Sequence, residues 1–270
     1  MDTGLRDRVV LITGASGGIG TACARQFDRE GARLVLHGHR NLGSLQTLQE
    51  ELTGENVILS ADLTEEEEVD HLFRKAIDRF RRVDVLVANA GIWPEDDEPI
   101  HRMSLERWRS TLDADLTSVF LCARAFLRTL ERTRPETAAV VIVGSTAAVF
   151  GEEGHADYAA AKAAITYGLT RTLKNEIVRI VPHGRVNAVC PGWTMTPMSA
   201  AGLEDPAIVT RVLQTRAHKR VARPEDVASA IVFLSSDRLA GHITGEILTV
   251  AGGMEGRLLH RPDEIDPLQA

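Results

Sequence analysis

A glycine-rich turn between an apolar run and a helical pattern constrains the fold of this chain most strongly. Residues 8–12 form a short, β-branched run that is typical of a buried strand. The turn at 13–20 follows at once, with Gly14, Gly18 and Gly20, and an amphipathic pattern then continues to Gly31 as its C-cap. This order of strand, turn and helix directs backbone N–H groups at an anion such as a pyrophosphate. The first βα unit therefore favours a dinucleotide-binding fold.

Apolar runs and helical patterns alternate along the rest of the chain. The predicted strands span 8–12, 33–37, 56–60, 84–88, 139–144, 184–189 and 246–250. The predicted helices span 18–30, 41–53, 65–80, 104–131, 157–181, 205–217 and 224–236. Such alternation predicts an α/β fold, a doubly wound Rossmann-type parallel sheet of about seven strands with helices on both faces. We expect one domain, 1–270, with a core at about 7–254 and a C-terminal tail at 255–270.

Composition and charge exclude several classes of protein. Hydrophobic residues make up 44% of the chain, as in globular proteins, and no apolar run is long enough to cross a bilayer. The polar N-terminal residues predict no signal peptide, so we expect a cytoplasmic protein with no membrane partner. A net charge of −7 argues against a nucleic-acid partner. Cys23, Cys122 and Cys190 are widely spaced and fit neither a disulfide framework nor a metal site.

A tyrosine and a lysine four residues apart indicate the chemistry. Tyr158 and Lys162 share one face of a predicted helix, and Ser145 lies upstream of them. An ammonium beside a phenol favours the phenolate and lowers the tyrosine pKa. A nearby hydroxyl can hydrogen-bond the oxygen at which charge changes. These side chains are therefore predicted to move a proton onto and off a carbonyl oxygen, although the pair alone would also fit an ordinary helix face.

Together with the glycine turn, these residues resemble the short-chain dehydrogenase/reductase family over about 7–254. The resemblance implies that Ser145, Tyr158 and Lys162 are catalytic. It also implies that a nicotinamide dinucleotide is bound by residues of five motifs: Gly14, Ser16, Gly18, Ile19, Gly20, Asp62, Leu63, Asn89, Gly91, Tyr158, Lys162, Pro191, Gly192, Thr194 and Thr196. Segments 223–228 and 243–246 look most like those of 3-oxoacyl-[acyl carrier protein] reductases.

The resemblance implies an oxidoreductase that transfers hydride between a nicotinamide and a secondary alcohol or ketone. We expect an enzyme similar to 3-oxoacyl-thioester reductases, with a small-molecule carbonyl or alcohol substrate. A sugar, polyol or other small secondary-alcohol dehydrogenase of the same fold is the alternative. A non-enzymatic dinucleotide-binding regulator is a third possibility, but such proteins typically lose the tyrosine or the lysine. The resemblance and the small residues along 159–168 predict a homotetramer.

The end of the second predicted strand indicates which nicotinamide is preferred. Relatives that prefer NAD(H) carry an acid here, which binds the ribose 2′-hydroxyl. This chain carries His39 and Arg40 and no acid, and either side chain can pair with a 2′-phosphate. We therefore predict NADP(H). NAD(H) is the alternative because Gly17 stands where many NADP-using relatives carry a basic residue.

The resemblance places Asp115 where relatives usually carry an asparagine of a proton relay. In the family that residue holds a water largely through its backbone carbonyl, which an aspartate preserves. We therefore count Asp115 among the catalytic residues through its backbone, and expect Asp115→Asn to leave the maximal rate largely unchanged. An ionised carboxylate beside Lys162 would instead oppose formation of the tyrosinate.

Three aromatic side chains in the family's substrate loops are candidates for substrate contact: Trp93, His155 and Trp193. For His155 the alternative is an exposed position without a role. Acids at 95–98 and 152–153 occupy the same loops. Acyl carrier protein is acidic, so its reductases should carry basic residues near the entrance, for which Arg128, Arg132 and Arg134 are available.

Overall fold

Across residues 2–40 and 42–266, which the computed structural model describes, seven parallel strands form one sheet. Their order in the sheet is β3-β2-β1-β4-β5-β6-β7. The strands are β1 (Val9–Ile12), β2 (Arg33–Gly38), β3 (Asn56–Ser60), β4 (Val85–Ala88), β5 (Thr137–Val143), β6 (His183–Pro191) and β7 (Ile247–Val250). The predicted doubly wound fold is therefore confirmed, and strand boundaries differ from the prediction by at most two residues.

Helices cover both faces of the sheet, because its strands are apolar on both sides. In β1, Val9 and Leu11 join one apolar cluster, while Val10 and Ile12 join the other. The α-helices are α1 (Gly18–Arg29), α2 (Leu42–Glu51), α3 (Glu66–Phe80), α4 (Leu105–Leu112), α5 (Ser118–Thr133), α6 (Ala147–Phe150), α7 (Ala156–Ala163), α8 (Thr170–Ile177), α9 (Ala200–Leu203), α10 (Pro206–Leu213), α11 (Pro224–Ser235) and α12 (Asp237–Ala240).

The two longest predicted helices are each interrupted by a π-helical segment. The segment Asp113–Thr117 separates α4 from α5, and Ala164–Leu169 separates α7 from α8. Hydroxyl groups compete for the carbonyls here, since Ser118 donates to Ala114 at 2.5 Å and Thr170 to Ile165 at 2.9 Å. Such bulges are frequent at functional sites. The predicted start of the second helix, Asn41, lies outside the described residues.

Two further predictions concern membrane-spanning helices and metal sites. None of the helices among the described residues is long and apolar enough to cross a membrane. The same residues contain no cluster of His, Cys, Asp or Glu arranged to hold a metal ion. The cytoplasmic location and the single-domain boundaries stay predictions from the sequence.

Candidate active site

The glycine turn lies at the carboxyl end of β1, where close contacts exclude side chains. Gly14 has φ +63°, and a Cβ atom on it would lie 2.9 Å from the Cα of Ala90. A Cβ on Gly18 would lie 2.7 Å from Cγ2 of Thr196, which follows β6. The first amides of α1 have no acceptor within the helix. The turn therefore forms a backbone cradle for an anion, between the loops after β1 and β6.

Thr13 and Asn89 hold this turn against the end of β4. The Thr13 hydroxyl accepts hydrogen bonds from the amides of Asn89 and Ala90 at 2.9 and 3.0 Å. The Asn89 side-chain amide donates to the carbonyls of Thr13 and Gly14 at 3.0 and 3.1 Å. Asn89 thus supports the predicted dinucleotide site by shaping its backbone.

A third support, His37, was missed in the sequence because it lies within an apolar strand. Its Nδ1 accepts a hydrogen bond from the Gly14 amide at 3.2 Å, and its Nε2 donates to the Ala61 carbonyl at 3.0 Å. Burial lowers the pKa of this histidine, which agrees with a neutral ring that donates once and accepts once. His37 therefore ties the ends of β2 and β3 to the turn.

The loops after β1 to β4, which carry predicted dinucleotide-binding residues, are called the dinucleotide side. The residues predicted to select the nicotinamide lie at its exposed end. His39 and Arg40 are both exposed at the end of β2. Asp62 follows β3, and its carboxylate lies 3.7 Å from His39 Nε2. Hydrogen bonds from Thr64 hold the pKa of Asp62 below its ordinary value. Leu63 beside it is buried.

Tyr158 and Lys162 lie on α7, and both are buried where the dinucleotide side meets the substrate loops. The Lys162 ammonium lies 5.5 Å from the centroid of the Tyr158 ring and donates to the Val143 carbonyl at 3.4 Å. Ser145 follows β5, and its hydroxyl acts on Tyr158 by lowering the pKa of the phenol. The structure therefore brings together the three residues predicted to be catalytic.

The pKa of Tyr158 differs in direction from the prediction. Burial raises this pKa, Lys162 lowers it, and the Asp115 carboxylate raises it again, so the net shift is upward. The spacing of Tyr158 and Lys162 indicates the effect of the lysine, but it does not reveal the cost of burying a phenolate. Burial alone would lower the pKa of Lys162, but Asp115 and Tyr158 raise it, so the ammonium remains charged.

Asp115 lies in the π-helical segment and is fully buried. Its Oδ1 accepts a hydrogen bond from the Ile92 amide at 2.9 Å and lies 3.6 Å from Lys162 Nζ. Its Oδ2 has no hydrogen-bond partner among the described residues. Burial raises the pKa of this carboxyl, against the effect of Lys162. The Asp115 side chain thus contacts Lys162 directly. The hypothesis that this position acts through its backbone carbonyl did not include that contact.

Trp93 forms the substrate-side wall next to Tyr158. Its ring meets that of Tyr158 edge to face at 4.9 Å between centroids and stacks on His155 at 4.1 Å. His155 is buried, and its Nε2 donates to the Pro94 carbonyl at 2.8 Å. The alternative that His155 is an exposed loop residue is therefore wrong, because stacking and this hydrogen bond fix its ring.

Arg107 on α4 joins the two loops that carry Trp93 and His155, and no sequence motif indicated it. Its guanidinium donates to the Asp96 carbonyl at 2.7 Å and to the Gly154 carbonyl at 3.2 Å. It also pairs with the buried Asp157, beside Tyr158, at 3.1 Å. One side chain therefore connects both substrate loops to the helix of the catalytic tyrosine.

The residues after β6 extend the site toward α9 and α10. Pro191 accepts from the Thr146 amide at 3.0 Å, next to Ser145. The Thr194 hydroxyl donates to the Gly192 carbonyl at 2.8 Å. Trp193 lies against α9, where a Cβ on Gly202 would be 2.7 Å from the indole. The two tryptophans predicted to contact substrate therefore have different surroundings, Trp93 at Tyr158 and Trp193 under α9.

Comparisons with known proteins agree with this geometry. A protein-family model described as Enoyl-(Acyl carrier protein) reductase matches residues 14–255. The chain is 36% identical to a 3-oxoacyl-[acyl-carrier-protein] reductase of Synechocystis sp., over 93% of this chain and 98% of that protein. The chain belongs to the short-chain dehydrogenase/reductase family.

Other relatives are named for different substrates. A cis-4-hydroxycyclohexanecarboxylate dehydrogenase of Sinomonas cyclohexanicum is 36% identical, over 94% of this chain and 98% of that protein. The crystal structure of levodione reductase superposes with a TM-score of 0.85 at 28% identity, and the match covers 92% of this chain and 97% of that one. As a short-chain dehydrogenase/reductase, this chain is an oxidoreductase that acts on CH–OH groups.

Proposed function

We propose that this enzyme uses NADP(H) to interconvert a ketone and a secondary alcohol with Tyr158 as the proton donor and acceptor. The contact of Ser145 and Lys162 with Tyr158, at the carboxyl ends of the strands, carries the proposal. In reduction, the Tyr158 hydroxyl gives its proton to the carbonyl oxygen, and Ser145 hydrogen-bonds that oxygen. Lys162 stabilises the resulting tyrosinate against burial.

The dinucleotide side fits the predicted cofactor. The glycine cradle and the N-terminus of α1 suit its pyrophosphate, and Thr196 lies against that cradle at Gly18. The exposed side chains of His39 and Arg40 at the end of β2 support a contact with a 2′-phosphate, whereas the Asp62 carboxylate, 3.7 Å from His39 Nε2, opposes it. When bound, the nicotinamide supplies the hydride in reduction and accepts it in oxidation.

The substrate that the relatives favour is a 3-oxoacyl thioester. The names of two relatives, both 3-oxoacyl-[acyl-carrier-protein] reductases, support this choice. Trp93 and the acids around it favour a second candidate, a small secondary alcohol. Glu95, Asp96 and Asp97 are exposed in the Trp93 loop. Such acids would repel an acidic carrier protein, and Arg128, which would attract it, lies 3.9 Å from Asp70.

A panel of carbonyl compounds distinguishes the two candidates. Oxidation of NADPH is followed by absorbance with acetoacetyl-coenzyme A, an acetoacetyl carrier protein, a substituted cyclohexanone and a ketose. The first candidate requires that both thioesters are reduced. The second requires that the cyclohexanone or ketose is reduced with the higher kcat/KM. If no compound is reduced with NADPH or NADH, the proposed reaction is wrong.

The cofactor preference is tested by titrating NADPH and NADH against tryptophan fluorescence. We expect tighter binding of NADPH, and loss of that preference in the His39→Ala, Arg40→Ala double variant. The loss of one charge-assisted contact to phosphate weakens binding by about tenfold or more. Tighter binding of NADH by the unmodified enzyme would contradict the assignment.

We also propose that the enzyme is a homotetramer. Apolar side chains are exposed on α5 and just beyond α8, namely Phe120 at 44% and Val178 at 45%. Gly168 faces open space in the π-helical segment between α7 and α8. These small and apolar positions support a close, symmetric helix contact between copies. Light scattering at micromolar concentration tests the mass.

A further inference from the structure

The C-terminal tail, here residues 255–266, lies beyond almost all of the segment that matches the family and contacts the substrate side of the molecule. Near its beginning, a Cβ on Gly256 would lie 3.9 Å from Phe150, the last residue of α6 between Ser145 and Tyr158. Further along, the Leu259 amide donates to the Gln214 carbonyl at 2.6 Å. The tail therefore runs from α6, which lies between Ser145 and Tyr158, to the end of α10.

Side-chain hydrogen bonds fix the tail to the segment after α10. Gln214 donates through its side chain to the His260 carbonyl at 3.1 Å, and His260 Nε2 donates to the Arg216 carbonyl at 2.9 Å. Lys219 donates to the Glu264 carbonyl at 2.8 Å. The hydrogen bonds engage main-chain carbonyls of the tail and of the segment after α10. They therefore fix the path of the tail along that segment.

An apolar contact at the end of the tail completes the attachment. Ile265 is 8% exposed and packs in a separate cluster with Val209, Leu213 and Val221. Val209 and Leu213 are the buried side chains of α10. Since a helix of eight residues is not stable by itself, α10 depends on such packing for its position.

Trp193 connects this cluster to the active site. The indole packs against the cluster together with Leu203 of α9. The Trp193 carbonyl accepts a hydrogen bond from the buried Arg216 at 3.3 Å, and Arg216 is the residue whose own carbonyl binds His260. Trp193 directly follows the Pro191-Gly192 turn beside Ser145. A displacement of the tail would therefore reach the turn beside Ser145 through Trp193.

We propose that the tail is a specificity-determining element that fixes α9, α10 and Trp193 as one wall of the substrate pocket. This rests on the proposed function only for its effect on substrate. Ile265 acts as a positioning residue, and Leu258 in the same tail does not, because it is 67% exposed and lies outside the cluster. Release of the tail loosens the wall and weakens ketone binding more than dinucleotide binding.

The matched variants Ile265→Ser and Leu258→Ser test the proposal with two readouts. The first is the initial rate of tryptic cleavage after Arg211, an exposed residue of α10, measured by mass spectrometry. The second is KM against kcat for acetoacetyl-coenzyme A and for the substituted cyclohexanone, with the NADPH dissociation constant. For Ile265→Ser we expect cleavage and KM to rise about tenfold, with kcat and NADPH affinity within about threefold of the unmodified enzyme.

Equal cleavage rates in Ile265→Ser and Leu258→Ser would overturn the proposal, whatever the activity. If cleavage accelerates only in Ile265→Ser but no ketone is reduced by the unmodified enzyme, the tail assignment stands and the proposed function fails. If cleavage accelerates and KM is unchanged, the tail holds α10 without determining specificity, and the proposal is wrong. Should Ile265→Ser fail to fold by circular dichroism, Ile265→Ala measured in the same way decides.

Discussion

The two sides of the cleft are held in place by different kinds of contact. On the dinucleotide side, glycines approach the backbone or side chains of neighbouring loops so closely that a Cβ does not fit, as at Gly14 and Gly18. On the substrate side, single side chains make the connections to the loops, as Arg107 and Trp93 do. Close backbone contacts permit only one arrangement of the loops. Side chains that contact loops, in contrast, can be replaced by others while the strands keep their positions.

This difference predicts separate responses to mutation. A methyl group added to a glycine on the dinucleotide side should lower the activity towards every substrate. It displaces tightly packed groups of the site, and a movement of the surrounding loops cannot restore their positions. A changed side chain on the substrate side should alter KM and leave dinucleotide binding intact. Tyr158 belongs to neither side alone, since Ser145, Lys162 and Trp93 all contact it.

The largest effect is expected from Tyr158→Phe. The variant keeps the ring that packs against Trp93 and loses the hydroxyl that moves the proton. A general acid–base group typically contributes about 10²–10⁴-fold, so kcat should fall within that range. Dinucleotide affinity, measured by fluorescence titration, should stay the same. Steady-state activity within about threefold of the unmodified enzyme would remove Tyr158 from the mechanism.

Gly91→Ala tests the close packing of the dinucleotide side. A Cβ here would overlap Asp115 Oδ1 and lie 3.0 Å from Lys162 Nζ. The short Asp115 side chain is fully buried and accepts a hydrogen bond from the Ile92 amide, so a shift of its carboxylate would break that contact. A displacement of about 1 Å at reacting groups can cost about 10²-fold, and we expect kcat/KM to fall by that order for every substrate.

The matched control is Gly43→Ala on the exposed surface of α2. No atom lies within 4 Å of a Cβ at this position. Alanine is the better helix former, so this variant should keep full activity and gain about 0.5–1 kcal/mol of unfolding free energy. Equal activity of the Gly91→Ala and Gly43→Ala variants would show that the packing at Gly91 is not required.

The contrast between the two sides also explains what the sequence predicted. The doubly wound parallel sheet, the turn and the Ser145, Tyr158 and Lys162 positions follow from glycine placement and from motif spacing that backbone geometry dictates. Arg107 and His37 carry no such signal, because their partners are main-chain carbonyls and amides from distant loops. The upward pKa shift of Tyr158 depends on burial, which spacing does not reveal.

Arg107→Lys sharpens the comparison on the substrate side. Lysine keeps the positive charge but cannot reach Asp96, Gly154 and Asp157 together, because it lacks the planar fork of arginine. We expect KM for the ketone to rise about tenfold while the NADPH dissociation constant is unchanged. Arg109→Lys is the control, since Arg109 is exposed on the same helix. A parallel loss of NADPH affinity in Arg107→Lys would refute the division into two sides.

Asp115→Asn should change the pH profile more than the rate. The carboxylate raises the pKa of Tyr158, so its removal should move the tyrosine limb of the kcat/KM profile to lower pH. At the optimum we expect kcat within about threefold of the unmodified enzyme, because the π-helical backbone is retained. A profile that does not move would restore the hypothesis that this position acts through its backbone alone.

The smallest effect is expected from Glu152→Gln, and it depends on pH. Burial raises the pKa of Glu152 from 4.5 to about 7, with Asp97 raising it further and His155 and Arg211 lowering it. Between these pH values the folded protein binds more protons at this group than the unfolded chain, so its contribution to stability falls as pH rises from 4.5 through 7. Glutamine removes that loss. The Tm of Glu152→Gln should exceed that of the unmodified enzyme by about 2 °C at pH 8 and match it at about pH 4.5.

Glu153→Gln, which alters the exposed neighbour, should show no such pH-dependent gain. A gain in Glu152→Gln that is equal at both pH values would mean that the carboxyl group destabilises the loop through its shape, without a change in its protonation.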